Sequence, residues 1–227
     1  MREHIVFDCY QTLIYKKNIV NIVQVFSRNI LKKKIPSYYI KHGYNIIYDR
    51  YKFKRPRFET PQKRKEFYIG YNIELFNIIG ITVSTYQALQ LSKYLEDALW
   101  VCYPDTLIAL KYFKKIEVPM GLLANWTKTL DKVLKDVNLT SYFDFVYSSY
   151  NLKLDKPNPK IFTKTLGNVI SKFDKVYYVG NDYELDIAPA KKAGLIPVLI
   201  DRDNRYPDSV DCIRIKKLTD LGKIINL

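Results

Sequence analysis

From Trp100 onward, helical periodicity and short apolar runs take turns along the chain, and that alternation constrains the fold more than any other feature. Thr106 to Lys115 places Leu107, Leu110 and Phe113 on one helical face, and Val118 to Ala124 reads as a strand. Thr127 to Asn138 is helical with Leu130, Val133, Leu134 and Val137 inward, and Phe143 to Tyr147 is a strand. Pro159 to Ser171, capped by Asn158, reads as a helix, Lys175 to Gly180 as a strand, Leu185 to Ala193 as a helix stopped by Gly194, and Ile196 to Ile200 as a strand. Such a series implies a parallel sheet with helices on both faces, a doubly wound, Rossmann-like α/β core. His4 to Asp8, an apolar run closed by an acid, must join that sheet, because among helices alone its backbone groups would go unpaired.

The stretch between has a different period. Ile19, Val23, Phe26 and Ile30 share a helical face, as do Ile40, Tyr44, Ile47 and Tyr51, and then Phe67, Tyr71, Leu75 and Ile78. Thr60-Pro61 supplies an N-cap and N1 proline, Gly80 a stop, and Ser84 with Gln87 a capping box that opens a fourth helix near Ser84 to Ala98. The expected organisation is a core of residues 1–14 and 97–227 interrupted by a helical insertion over 15–96. At roughly 150 residues per domain, 227 residues suit one full core with a smaller appendage.

Charge follows the same division. From Ile14 to Leu95 there are 16 Lys+Arg against 4 Asp+Glu, so this stretch carries +12 of the chain's +14. The run Arg50-Tyr51-Lys52-Phe53-Lys54-Arg55-Pro56-Arg57 interleaves cations with aromatics, a pattern that attracts small anionic substrates; nucleic acid is the less favoured partner, since basic runs mostly form solvated faces. Cys9, Cys102 and Cys212 show no metal-ligand or disulfide spacing and read as buried apolar residues. His4 and His42 lie near no Ser or Cys nucleophile motif, and the glycine-rich phosphate loops are absent, so catalysis must rest on carboxylates and lysines. No run approaches the ~20 apolar residues of a membrane span and no leader is evident, which makes the cytoplasm the expected location.

In open α/β sheets ligands sit beyond the carboxyl ends of the strands. Those ends carry Asp8-Cys9-Tyr10-Gln11-Thr12, then Ala124-Asn125-Trp126, then Lys156-Pro157-Asn158-Pro159, then Gly180-Asn181-Asp182 with Asp186 beyond. A carboxylate at a strand tip can attack an electrophile, a lysine can hold it and the departing charge, and further acids can hold Mg²⁺ against a phosphoryl group. Mg²⁺ needs hard oxygen ligands, and Asp8 with Asp182 or Asp186 suffices.

Taken in order, these segments resemble the motifs of the haloacid dehalogenase superfamily of Asp-nucleophile hydrolases over nearly the whole chain. Phe7-Asp8 with Thr12-Leu13 is similar to its first motif, Leu123 to Trp126 to the second, Lys156 to Phe162 to the third, and Gly180 to Asp186 to the fourth. The helical insertion corresponds to the small α-helical cap. The resemblance implies Asp8 as nucleophile, Lys156 as its charge partner, Thr12 and Asn125 as substrate contacts, and a Mg²⁺ held by Asp8, the Tyr10 carbonyl, Asp182 and Asp186.

Three positions depart from the phosphatase pattern. Tyr10 replaces a second Asp that would protonate the leaving group, and a phenol titrating near ~10 is a poor general base. Ala124 replaces a Ser or Thr donor, the kind of loss that costs on the order of 3 kcal/mol of transition-state stabilisation. Asn181 stands where an Asp is common, leaving Asp182 and Asp186 as the alternative acidic pair. The expected activity is a Mg²⁺-dependent phosphatase on a small anionic monoester. The alternatives are a metal-independent 2-haloacid dehalogenase, whose branch also shows Tyr at position 10, and a catalytically weakened binding protein.

Overall fold

The computed structural model describes residues 2–53, 60–96 and 98–225. Positions 54–59, which include the end of the basic run, and residue 97 at the expected return to the core lie outside the described residues. The chain separates into two compact units, Met1–Tyr15 with Trp100–Leu227, and Lys16–Leu99.

Strand β1 (Glu3–Phe7) leads into β2 (Ile14–Lys16), which pairs with β3 (Trp100–Cys102) in a two-stranded ribbon. The main sheet adds β4 (Met120–Ala124), β5 (Phe145–Ser148), β6 (Lys175–Gly180), β7 (Ile196–Ile200) and β8 (Ile213–Ile215) in the order β5-β4-β1-β6-β7-β8. Every neighbouring pair is parallel, and β1 sits centrally with Ile5 opposite Met120 on one side and Tyr177 on the other. All five residues of β1 are buried, as an interior parallel strand covered on both faces requires. The sheet is thus the doubly wound core that the alternation predicts. β2, β3 and β8 escape sequence reading because three residues are too few to show a period.

The Lys16–Leu99 unit contains α1 (Ile19–Asn29), α2 (Ser37–Tyr51), α3 (Pro61–Ile78) and α4 (Thr85–Glu96). Val23, Phe26, Ile40, Phe76 and Leu91 form its core. Both predicted starts hold. The Thr60 hydroxyl accepts from Lys63 N–H at 3.2 Å, and Ser84 and Gln87 exchange bonds of 2.9 and 3.2 Å in a capping box. Gly80 adopts φ 75° at the end of α3, a conformation that costs glycine little.

In the sheet-bearing unit follow α5 (Thr106–Lys115), α6 (Leu130–Asp136), α7 (Ser149–Leu152), α8 (Lys160–Ile170) and α9 (Ala188–Lys192). The strict alternation of strand side chains divides the core: Ile5 and Phe7 pack with Leu122, Val179 and Val198 on one face, while Val6 joins Leu123, Phe162 and Tyr178 on the other. The α6 helix starts at Leu130 rather than Thr127, because the Thr127 and Thr129 hydroxyls bond each other at 2.9 Å and the Trp126 indole donates to Thr129 at 3.3 Å. The expected Leu185–Ala193 helix instead begins as a wide turn, Tyr183–Ile187, that continues into α9. Cys9 is buried as expected, whereas Cys102 and Cys212 are half-buried, and all three are free thiols.

His4 lies within β1, near the amino end of the strand and away from Asp8 at its carboxyl tip. Its ring stacks on Phe145 at 5.6 Å and packs against Phe173 at 4.9 Å. Both ring nitrogens lack a hydrogen-bond partner, and burial pulls its pKa down to about 4, so it is a neutral core residue at physiological pH. Among the described residues no helix is long and apolar enough to cross a membrane.

Candidate active site

The carboxyl tips of β1, β4 and β6 gather the predicted residues around one ammonium. Lys156, in the loop before α8, is buried and donates to Asp8 Oδ1 at 2.6 Å, to Asp186 Oδ1 at 2.6 Å and to the Tyr178 hydroxyl at 2.9 Å. Its three protons are therefore all placed. Tyr178 in turn donates to the Leu123 carbonyl at 2.9 Å, tying the cluster to β4. Burial alone would lower the Lys156 pKa, but the adjacent carboxylates of Asp186 and Asp8 outweigh it and hold the group charged well above the ordinary lysine range. For Asp186 burial dominates over the pull of Lys156 and raises its pKa to about 7. Asp8 and Asp186 thus share one cation.

On its other side Asp8 Oδ2 accepts from the Thr12 hydroxyl at 3.2 Å. The same hydroxyl lies 3.4 Å from Asn181 Oδ1, and the Asn181 amide donates to Gln11 Oε1 at 3.1 Å. Arg202 fixes this loop from behind, donating to the Thr12 carbonyl at 3.0 Å and to Asp105 Oδ2 at 2.9 Å. Neither Arg202 nor Tyr178 was singled out in the sequence, because each acts through a partner far along the chain.

Asn125, expected at the substrate, forms a closed pair with the Lys156 main chain. Its amide donates to the Lys156 carbonyl at 2.9 Å, and its Oδ1 accepts from the Lys156 N–H at 2.8 Å. It positions the lysine-bearing loop against β4. Asp182 and Asp186, expected as the acidic metal pair, are engaged as well. Asp182 Oδ1 accepts from Glu184 and Leu185 N–H at 3.0 and 2.9 Å and caps the turn over Tyr183–Ile187. Asp186 Oδ2 accepts from Asp182 N–H at 3.0 Å while its Oδ1 holds Lys156. Tyr10 places its ring edge-on to Trp100 at 5.8 Å.

Gly180 is required by close approach. A Cβ there would stand 2.4 Å from Cβ and Cγ of Asp186, a side chain held at both oxygens. Gly180→Ala is expected to displace Asp186, lowering stability by about 1–3 kcal/mol and cutting turnover. Equal thermal melts and rates for the variant and the parent protein would contradict this.

Asp8, Lys156 and Asp186 thus meet at one sheet edge, and comparison with known proteins places the chain in a family. The model of haloacid dehalogenase-like hydrolases matches residues 5–200. The chain belongs to this family. This haloacid dehalogenase-like hydrolase is 33% identical over 148 residues to the ribulose-1,5-bisphosphate 5-phosphatase of Halopiger xanaduensis, covering 59% of the chain and 62% of that protein. It is 29% identical over 108 residues to the glyceraldehyde 3-phosphate phosphatase of Methanopyrus kandleri, covering 47% and 46%. The chain spans about half the length of the curated relatives it matches. Among solved structures, the magnesium-bound hydrolase YfnB of Bacillus subtilis superposes with a TM-score of 0.72 at 18% identity over 100% of the chain and 99% of its own. An L-2-haloacid dehalogenase superposes at 0.64 with 16% identity over 99% and 98%. At these identities the structural likeness establishes the fold that the hydrolase shares with both.

Proposed function

We propose that this hydrolase is a Mg²⁺-dependent phosphatase of small anionic phosphomonoesters, with Asp8 as nucleophile and the Lys16–Leu99 unit as the basic cap that attracts the substrate. The observation that carries it is the buried Lys156 ammonium bonded at 2.6 Å to both Asp8 and Asp186, which fixes the Asp8 carboxyl group at a strand tip. One oxygen of Asp8 attacks phosphorus in line, the bond to the ester oxygen breaks, and the departing alkoxide takes a proton from water. A water molecule then attacks phosphorus of the aspartyl phosphate, releasing inorganic phosphate and regenerating the Asp8 carboxylate. Throughout, Lys156 holds Asp8 in register and Asn125 holds Lys156.

The donors suit a hard cation in kind. The Thr12 hydroxyl, 3.2 Å from Asp8 Oδ2 and 3.4 Å from Asn181 Oδ1, marks where two oxygens converge. Asp8, the Tyr10 carbonyl and Asn181 would hold Mg²⁺ directly, with Asp182 and Asp186 behind them as supporting negative charge. When bound, the ion offsets charge on the phosphoryl oxygens. The phosphate-acting relatives support the reaction class.

One observation favours a second reading. The neutral Asn181 beside Thr12, with both nearby acids engaged elsewhere, weakens the metal site and suits halide displacement from a 2-haloacid without a cation. Phosphate release from p-nitrophenyl phosphate and halide release from 2-chloropropionate, each with Mg²⁺ or with EDTA, separate the two. Phosphate release that requires Mg²⁺ is expected; halide release in EDTA without phosphatase activity would replace this reading with the second.

A further inference from the structure

The chain contains two tryptophans, Trp100 and Trp126, and their rings stand together. Their ring centroids are 5.0 Å apart, and Trp100 also meets the edge of the Tyr10 ring at 5.8 Å. Tyr10 follows the tip of β1 two residues after Asp8. Trp126 follows the tip of β4, the strand hydrogen-bonded to β1, and is next to Asn125, which clamps Lys156. Trp100 opens β3. All three rings are half-buried, and both tryptophans pack on the main core cluster. The Trp126 indole N–H is satisfied by Thr129 at 3.3 Å, so that ring offers a neighbour its apolar surface rather than a donor.

From this geometry we infer that Tyr10, Trp100 and Trp126 form an aromatic wall that seats the leaving group, and that the preferred substrates are phosphomonoesters whose alcohol carries an aromatic ring. This rests on the phosphatase reading and deepens it. A partly accessible aromatic surface next to a charged centre gains most from a planar, polarisable group, through burial and through edge-on or offset stacking. Stacking of one ring on an aromatic side chain is worth roughly tenfold to a hundredfold in affinity. The wall needs no hydrogen-bond donor for this. It also compensates for a poor complement of polar contacts to the ester, since Asn125 is committed to the Lys156 main chain and Ala124 brings no hydroxyl.

The test compares 2-phenylethyl phosphate with n-butyl phosphate, alkyl esters of similar leaving-group acidity, so that ring recognition is read apart from intrinsic reactivity. The ratio of their kcat/KM values is expected to be at least about tenfold in favour of the ring. It should fall towards unity in Trp126→Leu and in Trp100→Leu, and persist in Trp126→Phe, which keeps a ring. Turnover of both esters with equal kcat/KM, or a ratio unchanged by the leucine variants, overturns the inference while leaving the phosphatase reading intact. Turnover of neither ester with Mg²⁺ counts against the phosphatase reading instead. In that case a second measurement still decides: intrinsic tryptophan fluorescence of Asp8→Asn protein, which reports on these two residues alone. A saturable change with 2-phenylethyl phosphate and none with n-butyl phosphate supports the wall, and no saturable change with either overturns it.

Discussion

Asp8→Asn protein is expected to fold, to bind substrate and to lose at least a thousandfold in turnover, on the order of what removal of a covalent nucleophile costs elsewhere. The amide preserves the shape of the carboxyl group and an oxygen for Lys156, but it cannot form an acyl phosphate. Folding should be retained because the change relieves a charge conflict. Asp8 and Asp186 share one ammonium at 2.6 Å each, so with both acids ionised the buried cluster carries one excess negative charge. Neutralising Asp8 leaves the balanced pair of Lys156 with Asp186, and the Asp186 pKa, raised to about 7 by burial and further by Asp8, should come down. Denaturant melts should therefore place the variant within about 1 kcal/mol of the parent protein. Mass spectrometry of quenched parent enzyme should find phosphate on the peptide containing Asp8, and none in the variant. Turnover surviving in Asp8→Asn would remove Asp8 from the reaction.

The sheet was legible in the sequence because its evidence is local: four apolar runs separated by periodic helices, each long enough to count. That Asp8, Lys156 and Asp186 meet at one edge was legible because position after a strand says which edge a side chain reaches. What the side chains do there was less so. Asn125 and Asp182 have the residue types of a substrate donor and a metal ligand, and the structure adds contacts the sequence does not show: Asn125 clamps the Lys156 main chain, and Asp182 Oδ1 caps the turn after β6. Capping draws on any Asp that precedes a helical turn, and only the observed geometry shows that Asp182 makes this cap. Tyr177 and Tyr178 make the same point from the other direction. They are adjacent and alike in sequence, but strand alternation sends the Tyr177 hydroxyl towards Glu3 at 3.3 Å and the Tyr178 hydroxyl to Lys156 at 2.9 Å. The period predicts opposite faces; it does not say which face holds the lysine. Arg202, bonded to Thr12 some 190 positions earlier, lies further still beyond local inference.

Lys156→Met is expected to be the most damaging single substitution in the cluster, because it removes the one cation from between two buried carboxylates. Methionine fills nearly the same volume, so the loss is electrostatic rather than a cavity. Removing one partner of a buried ion pair typically costs about 3–5 kcal/mol, and here two acids and the Tyr178 hydroxyl lose their donor at once. Turnover should fall with it, since Asp8 would lose the ammonium that holds its Oδ1. The pH dependence fixes the cause. Without the lysine the Asp186 pKa should climb further above its unfolded value near ~3.9, so the folded state binds protons that the unfolded chain has already released. Stability should then be nearly recovered below about pH 4, where both states are protonated, and lost progressively as pH rises from there through the elevated folded pKa. Urea melts at mildly acidic and alkaline pH would show a penalty that grows with pH. Lys156→Met with Asp186→Asn should regain much of the stability while remaining inactive, which separates the electrostatic role of the lysine in folding from its role at Asp8. A penalty independent of pH would mean that packing of the lysine stem, and not compensation of charge, is what the position contributes.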